Sequence, residues 1–131
     1  HIRDGFGEFY EFAKTRDFPR GAVLHCFSGS AEIAEYYVKK GFYISFSGTL
    51  TYANAVNLRR AAEVVPTDRL LVETDSPYLP PKSRAGTFPN TPESIPEILQ
   101  NIADIRGVTA EIMAKTVWQN AHNLFKKLGN R

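Results

Sequence analysis

Residues 21–48, "GAVLHCFSGSAEIAEYYVKKGFYISFSG", hold the pattern that decides the fold class. "AVLHCF" at 22–27 is an apolar run of strand length. Ser30 follows as a helix N-cap, "AEIAEYYVKK" supplies helix formers, and Gly41 is placed to stop them. "FYISFSG" at 42–48, β-branched and aromatic, predicts a second strand. Working outward, residues 53–64 predict a helix capped by Asn54 or a neighbour and ended before Pro66. "RLLVETD" at 69–75 predicts a third strand, closed by the turn "SPYLPP". Strand, helix, strand, helix, strand means βαβ units and a parallel sheet. Right-handed crossovers then gather "HCFS", "SFSG" and "TDSP" on one edge. The carboxyl edge of parallel strands is where α/β proteins place their chemistry.

After Asp75 comes the long loop "SPYLPPKSRAGTFPN", a length that favours a functional segment. Thr91 and Pro92 open a helix whose apolar face holds Ile95, Ile98, Leu99, Ile102 and Ile105, and Gly107 ends it. Thr109 caps a last helix with Met113, Val117, Ala121, Leu124, Phe125 and Leu128 in its stripe. Composition fits one folded domain over residues 1–131: 43% of residues are hydrophobic, with nine Phe and six Tyr. A net charge of +2 does not by itself imply a polyanionic partner. The single cysteine, Cys26, excludes an internal disulfide and a cysteine-rich zinc module, and it reads as a small buried residue in a reducing compartment. No apolar run reaches the length of a membrane span, so a cytoplasmic location is expected.

Alternation along the strands identifies the candidates for chemistry. Val23 and His25 share one face of the first strand; Leu71, Glu73 and Asp75 share one face of the third. Two carboxylates on an apolar strand are costly to bury without a cation or a hydrogen-bonded partner. A divalent ion would offset that cost at Asp75, and a neutral His25 imidazole is a fitting co-ligand. Each residue has a plainer reading: His25 as a hydrogen-bonded core histidine, Asp75 as a turn residue, and Glu73 as the partner of a basic residue within the sheet. For Glu73 the plainer reading is preferred over direct catalysis. Trp118 reads as core or half-buried surface, and His122 as structural. Ser28 lies near His25, but no Gly-x-Ser-x-Gly elbow supports a serine hydrolase.

"HCFSGS", "GFYISFSGTLTY", "LLVETDSPYLPP" and "NAHNLF", in this order, resemble the TatD family of metal-dependent deoxyribonucleases in the amidohydrolase superfamily. The resemblance implies the carboxyl-terminal half of a TIM-type (β/α)8 barrel, α/β, with strands alternating with helices from the end of the fifth strand to the eighth. It also implies a centre at the strand ends holding two divalent ions, Mg2+, Mn2+ or Zn2+. Carried onto this chain, "HIRD" makes His1 a metal ligand, "HCFSGS" makes His25 one, and "ETDSPYL" makes Asp75 both ligand and catalytic base. Ser45 on the seventh strand would keep room near the metals. Arg84 could reach a substrate phosphate, although Arg84, Gly86, Asn90 and Pro92 are spaced more loosely than the family's pattern. The implied substrate is DNA, at single-stranded ends.

Because the chain opens on His1, and such barrels need roughly 250 residues, the expected partner is a missing amino-terminal half of the barrel. Two alternatives stand beside the nuclease reading. One is a superfamily relative cleaving another ester or an amide; the other is an inactive half-barrel.

Overall fold

The computed structural model describes residues 1, 2 and 4–126. Its elements run α1 (Phe6–Lys14), β1 (Ala22–Leu24), α2 (Ala31–Lys39), β2 (Phe42–Phe46), α3 (Val56–Val64), β3 (Leu70–Val72), α4 (Ile95–Arg106) and α5 (Ala110–Leu124), with short 3-10 turns between them. The three strands form a parallel sheet in the order β1-β2-β3, with Leu24 opposite Ile44 and Ile44 opposite Leu70. Each strand lies beside its sequence neighbour, and α2 and α3 make the crossovers. The result is an arc of the (β/α)-barrel kind, α/β as the sequence predicts.

Local signals account for most of the boundaries. Ser30 Oγ accepts from Ile33 N at 3.4 Å, and Thr109 Oγ1 accepts from Ile112 N at 3.2 Å. Gly41 (φ +87°) and Gly107 (φ +65°) take the left-handed conformation that ends α2 and α4. Three expectations need correction. β1 and β3 are shorter than 22–27 and 69–75, because Cys26 (φ 44°) and Asp75 (φ 56°) turn the chain out of extended geometry, and β2 stops short of residue 48 because a 3-10 turn begins at Gly48. Pairing nevertheless outlasts the strands: Phe27 N donates to Ser45 O and Glu73 N to Phe46 O, each at 3.0 Å. The second crossover helix starts at Val56, not residue 53. A 3-10 turn over Gly48–Thr51 takes up the preceding chain, and neither Asn54 nor Ala55 donates a side-chain cap. Thr91 likewise opens the 3-10 turn Pro92–Ser94, without a side-chain cap, and α4 follows it. Helix α1 lies where no element was expected. Leu128 falls outside the described residues.

All five residues of β2 are buried, and Phe42, Ile44 and Phe46 join Leu24, Leu70, Tyr37, Leu50, Val65, Ile98 and Ile102 in one core. Burying each such side chain contributes about 1.5–3 kcal/mol. α2 packs on β2 and α3, α3 on α4, α4 on α5, and α5 returns to β3. Asn120, from "NAHNLF", fastens that last contact: it is buried, and its Nδ2 donates to Thr67 O at 2.7 Å and Leu70 O at 2.8 Å. Arg106 joins α4 to α3 by donating to the carbonyls of Glu63 and Val65, orphaned at the end of α3. Burial holds that guanidinium below its ordinary value. Among the described residues, no helix is long and apolar enough to cross a membrane.

Candidate metal centre

The site is built where β1 and β3 end. His25 follows β1 directly. Its Nδ1 lies 3.2 Å from Glu73 Oε1 and 4.0 Å from Asp75 Oδ1. Glu73 Oε1 also accepts the backbone N–H of Cys26 at 3.0 Å, across the left-handed turn that Cys26 makes. Donor atoms of His25, Glu73 and Asp75 all lie within 4.8 Å of one another, and all three residues are partly exposed. No lysine or arginine reaches either carboxylate among the described residues. Two carboxylates thus share one imidazole, with no fixed cation among the described residues to balance them.

The sequence reading took Glu73 as the partner of a basic residue, and the partner is His25. A Nδ1–H donated to Glu73 leaves the lone pair on Nε2 free for a ligand. The shared face of Glu73 and Asp75 was legible in the strand pattern. The bond to His25, 48 residues away, was not.

Asp75 depends on a second node. Thr74 Oγ1 accepts from Ser76 N (3.2 Å) and Ser76 Oγ (2.7 Å), and Tyr78 N donates to Asp75 O at 3.0 Å, closing a turn around Asp75. Asn90, 4% exposed, grips that turn from below. Its Nδ2 donates to Thr74 O and to Tyr78 O, each at 2.8 Å, and its backbone N donates to Pro77 O at 2.9 Å. Asn90 Oδ1 accepts from Thr91 N and Ser94 Oγ at 3.0 and 2.7 Å, so the amide is fully used. A loosely matched loop motif had named Asn90, but its bonds to main-chain carbonyls leave no mark in a sequence.

The other expected site residues stand as follows. The His1 ring is exposed and lies 4.8 Å, centroid to centroid, from the ring of His25, outside the three-donor group. Arg84 sits in the loop after Asp75 and is held by Glu93 Oε2 and Thr91 Oγ1, each at 3.4 Å. Ser45 is buried on β2. Cys26 is buried, as expected, with Sγ 3.5 Å from Ser47 Oγ, and burial pushes its thiol above the ordinary value of 9.0. Trp118 is neither core nor half-buried: it is 60% exposed and packs on the His122 ring at 3.8 Å. A concavity lies at the opposite end of the sheet, beside Gly21, Gly41 and Arg69, away from every donor above.

Residues 1–126 match the family described as TatD related DNase. The chain belongs to that family. In sequence it is 47% identical over 105 residues to the uncharacterized metal-dependent hydrolase YcfH of Escherichia coli, a match covering 80% of this chain and 39% of YcfH. It is 36% identical over 130 residues to the 3'-5' ssDNA/RNA exonuclease TatD of Shigella flexneri, covering 95% of this chain and 50% of that one. Among solved structures, the TatD homolog YjjV of E. coli superposes with a TM-score of 0.86 at 33% identity, over 93% of this chain and 47% of YjjV. The chain thus spans half or less of the length of these TatD relatives. The parallel arc of the fold matches this family's architecture.

Proposed function

We propose that this TatD-family chain carries part of the centre of a metal-dependent phosphodiesterase acting on single-stranded DNA ends, with His25 and Asp75 as metal ligands and His1 as a third. The observation that carries the reading is the convergence of His25, Glu73 and Asp75 donors within 4.8 Å. One imidazole and two carboxylates suit Mg2+, Mn2+ or Zn2+. Such an ion, when held there, supplies Lewis-acid stabilisation of charge on a phosphodiester.

The chain's own groups do the rest. Glu73 fixes the tautomer and orientation of His25 through Nδ1. Asp75 accepts a proton from the attacking water as the new P–O bond forms, the P–O bond to the leaving oxygen breaks, and that oxygen takes a proton from solvent and departs as an alcohol. The nuclease reading draws on the family's description as DNases and on the ssDNA/RNA exonuclease activity for which the Shigella relative is named.

Because the matched relatives are about twice this length, the 131 residues alone are proposed to bind metal weakly and to lack nuclease activity. The amino-terminal half of a barrel would supply the remaining ligands. A chimaera joining these residues to the preceding part of YcfH tests the assignment. With Mn2+ it should degrade single-stranded DNA, leave lactones and amides untouched, and lose turnover on Asp75→Asn. Preference for a lactone or an amide would favour the other amidohydrolase chemistry. Tight stoichiometric metal binding by the 131 residues alone would overturn the proposed division of the site.

A further inference from the structure

The segment after Asp75 presents features that neither the core nor the donor cluster uses. Tyr78 and Phe88 are 64% and 73% exposed, with ring centroids 6.2 Å apart; no other large apolar side chain among the described residues is as exposed as Phe88. Both rings belong to the framework that holds Asp75. Tyr78 closes the hydrogen-bonded turn begun at Asp75, which keeps the two Cα atoms within about 7 Å. Asn90, two residues beyond Phe88, bonds to the carbonyls of Thr74 and Tyr78 on either side of Asp75. Charge adds a separate indication. Residues 76–92 contain Lys82 and Arg84 and no acidic residue; Arg84 is paired with Glu93, whereas among the described residues no carboxylate lies within ion-pair distance of Lys82.

Exposed aromatic faces on the loop that also carries Lys82, one turn from a phosphodiesterase ligand, fit a nucleobase attached to a phosphate. We propose that Tyr78 and Phe88 form the stacking surface for the base next to the phosphate handled at His25 and Asp75, and so restrict the site to single strands. The inference rests on the nuclease reading above. In a duplex each base is held by pairing and, except for the outer face of the end pair, is covered by its neighbours. An unpaired base can leave the stack and lie against the aromatic pair, where stacking strengthens binding about tenfold or more per base. Lys82, on the same loop, attracts the backbone whatever the base.

Binding of three labelled probes to this chain, followed by fluorescence anisotropy at low salt, tests the inference without requiring turnover. The probes are a short oligo-dT, an abasic strand of the same length, and a blunt duplex. The protein should prefer oligo-dT to the other two by about tenfold. Phe88→Ala and Tyr78→Ala should each remove most of that preference while leaving abasic binding unchanged; Phe88→Trp and Tyr78→Phe should retain it. Circular dichroism checks that these exposed substitutions leave the fold intact. Equal binding of oligo-dT and the abasic strand, or alanine variants that keep the preference, would overturn the stacking surface and leave the nucleic-acid reading standing. Failure to bind any strand would remove both.

Discussion

Glu73 Oε1 lies 3.2 Å from Nδ1 of His25 and, at the same time, 3.0 Å from the backbone N–H of Cys26. One carboxylate oxygen from the end of β3 therefore sets both the ring of His25 and the turn that carries it away from β1. The two strand ends are coupled at the point where the proposed ligands meet. β2, which contributes none of the three donors, lies between them.

The first prediction isolates that coupling. Glu73→Gln keeps an oxygen for the Cys26 N–H but replaces the charged acceptor facing His25. Partners that orient a metal-bound histidine are worth about 10–100-fold in metal affinity. In the chimaera with the preceding part of YcfH, Mn2+ or Co2+ titration by calorimetry should show a loss in that range, with the melting temperature shifted by only a few degrees. Equal affinity in both proteins would show that Glu73 does not orient a ligand.

Asn90 offers a test in which the two ends of one side chain are separated. Asn90→Asp retains an acceptor for Thr91 N and Ser94 Oγ but turns an oxygen toward the carbonyls of Thr74 and Tyr78. Unsatisfied buried groups cost about 1–3 kcal/mol each. Stability should fall by at least that much, and the Tyr78 amide should exchange with solvent faster as its turn loosens. Ser94→Ala removes one bond from the other end and should cost about 1 kcal/mol, with Tyr78 protection intact. Hydrogen exchange followed by NMR reads both variants; identical effects at Tyr78 would show that Asn90 does not hold this turn.

What could be read in advance was local. Ser30, Thr109, Gly41 and Gly107 act within one helical turn of themselves, so residue type and position suffice to place them. The carboxyl-edge grouping of His25 with Asp75 was equally accessible, since it follows from strand order and crossover handedness. Helix α1 escaped notice because its N-cap, Gly5, offers no side chain, and its aromatic residues resemble a strand as much as a helix. The ends of β1 and β3 were set too late because the left-handed backbones of Cys26 and Asp75 are held by tertiary bonds. Cysteine has no particular liking for that region. Glu73 was undervalued for the same reason: its partner comes from another strand.

Gly48 tests how the loop beyond Asp75 is seated. A Cβ at this position would stand 2.7 Å from Leu79 O and 2.8 Å from Pro81 N, both main-chain atoms that no rotamer change can move. Thr51 Oγ1 fixes the same contact by accepting from Lys82 N at 2.7 Å, and Tyr52 Oη donates to Pro80 O at 3.0 Å. Gly48→Ala should therefore lower stability by about 1–3 kcal/mol in urea unfolding, the usual cost of overpacking. It should also displace the loop that presents Tyr78. An unchanged urea midpoint would show that the loop yields freely.

Cys26 gives the pH prediction. Burial is the main cause raising its thiol above 9.0, and the carboxylates of Asp75 and Glu73 push the same way, whereas the hydrogen bond with Ser47 opposes them. The folded state therefore holds its proton more tightly than the unfolded chain does. The associated stability is complete below pH 9.0, the ordinary thiol value, and is lost as the pH rises from there through the folded value. Two measurements follow. Near neutral pH the native thiol should react with iodoacetamide far more slowly than the urea-unfolded chain, because it is both covered and protonated. Between pH 8 and 10 the urea midpoint of the wild type should fall further than that of Cys26→Ala, which has no thiol to titrate. Parallel midpoints across that range would mean that the thiol titrates alike in both states, and that its place against Ser47 and the two carboxylates does not shift its ionisation.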